Sequence, residues 1–257
     1  MTTWEMLAVF AAGISAGTIN AIVGSGTLIT FPVLLATGLP PVTATVSNAL
    51  GLIPGSISGA IGYREELTGQ ARRVLKLAIG ALIGGLTGAT LLLTLPSTAF
   101  ETVVPILVAL ALALVLVILQ PRISKAVQRR REHSGIPARP DGGPLLFAGL
   151  TLASIYGGYF TAAQGIIYLS LMGMLLDDTM QRLNAVKNVL AAVVNSIAAL
   201  FFLFVADFDW TAVVLIAVGS ALGGQIGAKV GRRLSPTVLR ALIVAVGTAA
   251  IVQLLLR

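Results

Sequence analysis

The sequence predicts an all-α integral membrane protein made of two inverted-topology repeats of helices, each starting with a broken or re-entrant helical hairpin. Three observations predict it. Hydrophobic residues make up 56% of the 257 residues and charged residues 11%, whereas roughly a quarter of a soluble domain is charged. Apolar segments of helical length recur along the chain, and helices pair their backbone groups internally, as hydrocarbon requires. The short alternating segments of a membrane barrel are absent. Finally, the pattern repeats at an offset of 139 residues: Gly26 matches Gly165, GALIGGLTG at 80–88 matches GSALGGQIG at 219–227, and LPS at 95–97 faces LSP at 234–236. Such self-similarity marks an internal duplication.

Taken in order, the apolar pieces of the first repeat (residues 1–120) are 5–23, 27–38, 42–62, 72–95 and 99–120. Those of the second (residues 144–257) are 144–163, 166–176, 180–205, 210–230 and 236–256. Between them lies the polar stretch 121–143, rich in Arg, Pro and Gly, which reads as an aqueous linker. Met1 to Val23 lacks the basic start of a secretory signal and reads as mature structure. The second piece of each repeat has about twelve residues and reaches only about 18 Å, short of a hydrocarbon core of about 30 Å. It cannot cross alone.

Charge sets the orientation. Sixteen of the 17 basic residues gather in four places: Arg64, Arg72, Arg73 and Lys76; the linker's Arg122, Lys125, Arg129, Arg130, Arg131 and Arg139; Arg182 and Lys187; and Lys229, Arg232, Arg233 and Arg240. If all four face the cytoplasm, the connections at 38–42, 95–98 and 206–209 fall outside, as do both termini. The loop before the third helix is then outside near Pro40 but inside near Asp177, so the halves are inverted. Each short piece and the helix before it enter and leave by one face. The chain is expected to cross the membrane several times. The net charge of +7 reflects this orientation; the basic residues flank apolar segments without interleaved aromatics, and no nucleic acid partner is expected.

Inverted repeats with interrupted helices place a substrate site near the midplane. The Gly24-Ser25-Gly26 turn would be one hairpin tip and YFTAAQG at 159–165 the other. Irregular backbone at that depth is tolerated only where it lines a protected cavity. After each tip a helix begins, near Thr27 and Ile166, and its unpaired amides and positive dipole end favour an anion. Asn20, Ser25 and Thr27 from one hairpin, with Tyr159, Thr161 and Gln164 from the other, supply side-chain donors beside Gly24, Gly26 and Gly165. The third helices add Thr45, Ser47 and Asn48, and Asn184, Lys187 and Asn188. At the repeat offset, Thr45 and Asn48 map onto Asn184 and Lys187, and the three-residue step puts each pair on one helical face.

Each of these has a plainer reading. Thr45, Ser47, Asn184 and Asn188 serve either a ligand or interhelical hydrogen bonding. Lys187 either binds an anion, as an intramembrane cation suggests, or snorkels to the surface. Tyr156 and Tyr168 read as packing residues. Gly80, Gly84 and Gly88, and Gly219, Gly223 and Gly227, read as helix-packing surfaces.

At these residues the chain resembles the sulfite exporter TauE/SafE family. The resemblance covers nearly the whole chain and rests on GLPPVTATVSNAL after the Gly-rich first hairpin. Its most specific part is YGGYFTAAQGIIYLSLMG, LNAVKNVLAAVVNSIAAL and DWTAVVLIAVGSALGGQIGAKVGRRL. It implies an inner-membrane carrier for sulfite, organosulfonates such as sulfoacetate, or related anions. Matching positions are Gly24, Gly26, Pro41 and Asn48, and Gly157, Gly158, Gly165, Asn184, Lys187 and Asn188. Many members carry a fuller glycine run where this chain has Val-Gly-Ser-Gly.

The expected function is a secondary transporter of a small oxyanion, working by alternating access. A passive anion channel is the alternative. An intramembrane enzyme is a third reading, with Ser25 and Lys187 as its one conceivable pair. All ten carboxylates fall in loops or near segment ends, there is no cysteine, and the one histidine, His133, lies in the linker. Acid-base and metal chemistry lack their usual groups, and no cofactor or metal is expected. The expected partners are the anion and the lipid bilayer.

Overall fold

A computed structural model describes residues 1–95, 141–235 and 238. The pieces expected at 99–120 and 236–256, most of the linker 121–143 and most of the 95–98 connection lie outside the described residues. All regular structure among the described residues is helical: α1 Thr3–Ile22, α2 Thr27–Ala36, α3 Pro41–Gly51, α4 Ile53–Gly62, α5 Ala71–Thr94, α6 Gly143–Tyr159, α7 Gln164–Leu175, α8 Met180–Phe202 and α9 Trp210–Gly231. Four of these, α1, α5, α8 and α9, are long and apolar enough to cross a membrane. The short apolar helices α2 and α7 have 10 and 12 residues.

Local chemistry sets these boundaries. Thr2 and Glu5 form a capping box at the start of α1, and Thr179 and Asp209 cap α8 and α9 through their side chains. One boundary differs from the sequence expectation. The segment 42–62, read as one helix, breaks at Leu52 into α3 and α4, because Pro54 has no N–H to return to the Leu50 carbonyl. The repeat-related position is Val193, and α8 passes it unbroken.

The glycine rows are packing surfaces. A Cβ on Gly219, Gly223 or Gly227 would strike α1 backbone at Phe10, Ile14 and Thr18 in turn, so α1 and α9 run parallel in near backbone contact. Gly80, Gly84 and Gly88 meet Thr151, then Thr151 to Ile155, then Ile155 to Tyr159 in the same ascending sense, pairing α5 with α6. Each pair joins a helix of one half to a helix of the other. Small residues permit this approach, and dispersion across it holds helices together where lipid gives no hydrophobic drive. Hydroxyls along these helices are satisfied locally, as in Thr18 Oγ1 to the Ile14 carbonyl at 2.9 Å and Thr87 Oγ1 to the Ile83 carbonyl at 2.8 Å.

The two ends of the bundle differ. At one, Asp178 pairs with Arg73 at 2.7 Å and Arg182 at 2.9 Å, and Arg232 pairs with Glu66 at 2.7 Å and with Glu65. These contacts bind the 63–70 connection to the starts of α5 and α8 and the end of α9. Three of the four basic clusters thus meet in one layer; α4 runs into it and α8 runs out of it. At the other end the exposed rings of Trp4 and Trp210 sit at the starts of the parallel helices α1 and α9. Basic residues at one level and aromatic rings at the other match the two faces of a bilayer.

Candidate functional site

The interruption after α1 turns the chain at Gly24, whose φ is +90°. The interruption after α6 turns it at Ala163, φ +59°, the only non-glycine with positive φ among the described residues. These two positions are 139 apart, the repeat offset. Both tips therefore use a left-handed residue at one repeat position, at a cost of about 1–2 kcal/mol where that residue carries a Cβ.

The tips touch. The Gly165 N–H donates to the Gly24 carbonyl at 3.0 Å, and the hydroxyls of Thr27 and Thr161 lie 2.8 Å apart. A Cβ on Gly24 would run into Gly165 backbone, and one on Gly165 would lie 2.9 Å from the Gly24 oxygen. The first amide of α7 after Gln164 is thus engaged by the opposite tip, where the sequence reading left it open. Asn48 fixes the first tip from α3: its amide donates to Thr27 Oγ1 at 3.0 Å and its Oδ1 accepts from Thr30 Oγ1 at 2.5 Å. Gln164 fixes the second, donating to Tyr168 Oη at 2.7 Å, which lies 2.6 Å from Ser154 Oγ. Tyr168, read as packing, is therefore also a polar anchor.

Lys187 is the central side chain. It is fully buried, so it does not snorkel. Its stem runs beside both tip glycines, with Cδ 3.1 Å from where a Gly24 Cβ would sit and 2.9 Å from where a Gly165 Cβ would sit. Its ammonium donates to the carbonyls of Asn20 at 2.6 Å and Ala21 at 3.2 Å. Asn184 and Asn188 donate to the same Ala21 carbonyl at 2.9 and 3.1 Å. These carbonyls close the last turn of α1, which carries roughly half a negative charge. That partial charge answers the ammonium, since no carboxylate among the described residues pairs with it.

Other expected residues take different roles. Asn20 donates its amide to Ser56 on α4 at 3.2 Å. Thr45 spends its hydroxyl on the Pro41 carbonyl at 2.9 Å, and Ser47 accepts the Asp209 N–H at 3.0 Å, tying α3 to the start of α9 away from the tips. Tyr159 is buried among Phe160, Val46 and Ala198. Ser25 is buried with its hydroxyl unpartnered, as are Oδ1 of Asn184 and of Asn188. The sequence reading missed Thr30, Ser56, Ser154 and Asn195, all buried. Their one signal is a single polar residue in an apolar helix, which ordinary packing also produces.

The family comparison covers nearly the full length of the chain. Residues 9–254 match the family described as sulfite exporter TauE/SafE. The chain is similar to the "Probable membrane transporter protein YfcA" of Escherichia coli strain K12, 27% identical over 96% of this chain and 88% of the relative. A "Probable membrane transporter protein" of Haemophilus influenzae is 27% identical over 93% and 91%. The "Probable membrane transporter protein ORF9" of a Sinorhizobium species is 27% identical over 96% and 90%. No solved structure matches the chain. The chain, a multi-pass membrane protein, belongs to the sulfite exporter TauE/SafE family of membrane transporters, not of enzymes.

Proposed function

We propose that the protein is a secondary transporter of small sulfur-containing or organic oxyanions such as sulfite and sulfoacetate, with its substrate site between the two hairpin tips. One observation carries the reading: a buried lysine with no carboxylate partner among the described residues lies alongside both tip glycines, close to the starts of two short helices. Helix N-termini and an ammonium act together on an anion. The Ala21 carbonyl receives three donors, so Lys187 can swing to a substrate while Asn184 and Asn188 still cap α1. The unpartnered Ser25 hydroxyl supplies a further donor. In this reading the two repeats are inverted, each hairpin enters and leaves by one face, and movement of one against the other gives alternating access. The basic layer faces the cytoplasm of a cell inner membrane, with the linker 121–143 on that side and both termini opposite.

Lys187→Met keeps the stem and removes the charge. Sulfite binding to the purified variant should fall about tenfold or more, the worth of a charge-assisted hydrogen bond, while the melting temperature changes little. Unchanged affinity would remove Lys187 from the site. In proteoliposomes, flux that saturates and supports counterflow identifies a carrier; flux linear in concentration without counterflow identifies a channel.

A further inference from the structure

We propose that the outer face of α4, α5 and α8 is a binding groove for one anionic diacyl phospholipid, held by its acyl chain between the helices and by its phosphate at Arg64. The proposal is independent of the transport reading. A cavity of about 600 Å³ opens on this face, walled by Ile57 and Ile61 of α4, Leu82 of α5 and Leu200 of α8, with Ala60 and Ala192 in its lining. Short side chains there leave a channel between longer ones. Along α8 its lining runs from Val189 to Leu200, about 10 to 27 Å beyond Arg182 in the charged layer at the helical rise, so an acyl chain reaching in from Arg64 fills the nearer part of it.

Arg64 lines the same cavity and also a second, adjoining one of about 380 Å³ with Lys229, Arg232 and Gln225. Apolar groove and basic pocket are thus continuous through one residue, at the end of α4 that enters the charged layer. Arg232 pairs with both Glu65 and Glu66, so that trio carries one negative charge. Arg64 and Lys229 are exposed and have no carboxylate partner among the described residues. With that trio, Arg64 and Lys229 leave a rim of net charge +1 at headgroup level beside the groove, which selects a lipid with a net negative headgroup. A neutral lipid would use only the groove. A second copy docked symmetrically would set the positive rim against itself.

The test uses the full chain in detergent, titrated with phosphatidylglycerol or phosphatidylcholine of identical acyl chains and read by native mass spectrometry. Phosphatidylglycerol should be retained about tenfold or more over phosphatidylcholine, because each basic residue near the surface is worth about fivefold. Arg64→Ala with Lys229→Ala should bring the two lipids to equal retention, and Arg64→Lys should keep most of the preference. Both residues are exposed, so these variants should fold, which the melting temperature checks. Ala192→Phe should reduce retention of both lipids. Equal retention by the unaltered protein, or a preference that survives the double variant, would overturn the proposal. So would glycerol phosphate competing as well as the lipid, or a lipid-free dimer that Ala192→Phe splits.

Discussion

Gly24 and Ala163, 139 residues apart, turn the two tips with different residues, and the difference is measurable. Gly24 has φ +90° and its hydrogen faces Gly165 backbone, so Gly24→Ala adds left-handed strain of about 1–2 kcal/mol and also forces the tips apart. Thermal unfolding should show a large loss, with transport abolished. Ala163→Gly relieves the strain at φ +59° and should raise stability by up to about 1 kcal/mol, less the added backbone entropy of glycine in the unfolded chain. Lys187 was legible as the one cation more than a turn inside a segment, but its two readings pointed opposite ways along the side chain. The Asn20 and Ala21 carbonyls that receive it come from a helix 166 residues away in sequence, and no local pattern encodes that meeting.

Helices α1, α5, α6 and α9 are joined through rows of glycine, and their spacing of four was readable as a packing surface. Which helix each row meets was not, because a glycine stripe has no partner-specific side chain. The structure pairs each row with the opposite half. Gly223→Leu places a side chain where Ile14 backbone lies and should cost about 1–3 kcal/mol or more. Gly173→Ala, where nothing lies within 4 Å, should be neutral or slightly stabilising in the same thermal assay. The α3–α4 break was missed because Pro54 lies inside an apolar run of spanning length, and membrane helices often tolerate proline.

Across the whole molecule, the charged layer binds three basic clusters through Asp178, Glu65 and Glu66. Burial alone would raise the Asp178 carboxyl. Hydrogen bonds from Arg73 and the Thr179 backbone, with the nearby charges of Arg182 and Arg73, overcome this and hold it below its ordinary value of 3.8. A depressed carboxylate stabilises the fold above its unfolded value and loses that contribution as pH falls through the folded one. The melting temperature should therefore drop below about pH 4, and Asp178→Asn should lower it at neutral pH while flattening that acid limb. The inverted arrangement has its own test. Cysteine at Ser25 and at Gln164, labelled in intact and inverted vesicles, should react from opposite faces; reaction of both from one face would refute it.

The sequence by itself determined that this chain is helical, lies in a membrane, carries matching glycine motifs 139 residues apart and interrupts an apolar segment after Val23 and again after Tyr159, because composition, segment length and glycine punctuation act locally on the backbone. Only the tertiary structure decided that the two interruptions meet at Gly24 and Gly165, and that Lys187 turns inward to the end of α1. Those outcomes depend on how helices from different halves dock, and a buried side chain takes its direction from whichever carbonyls the docking brings within reach.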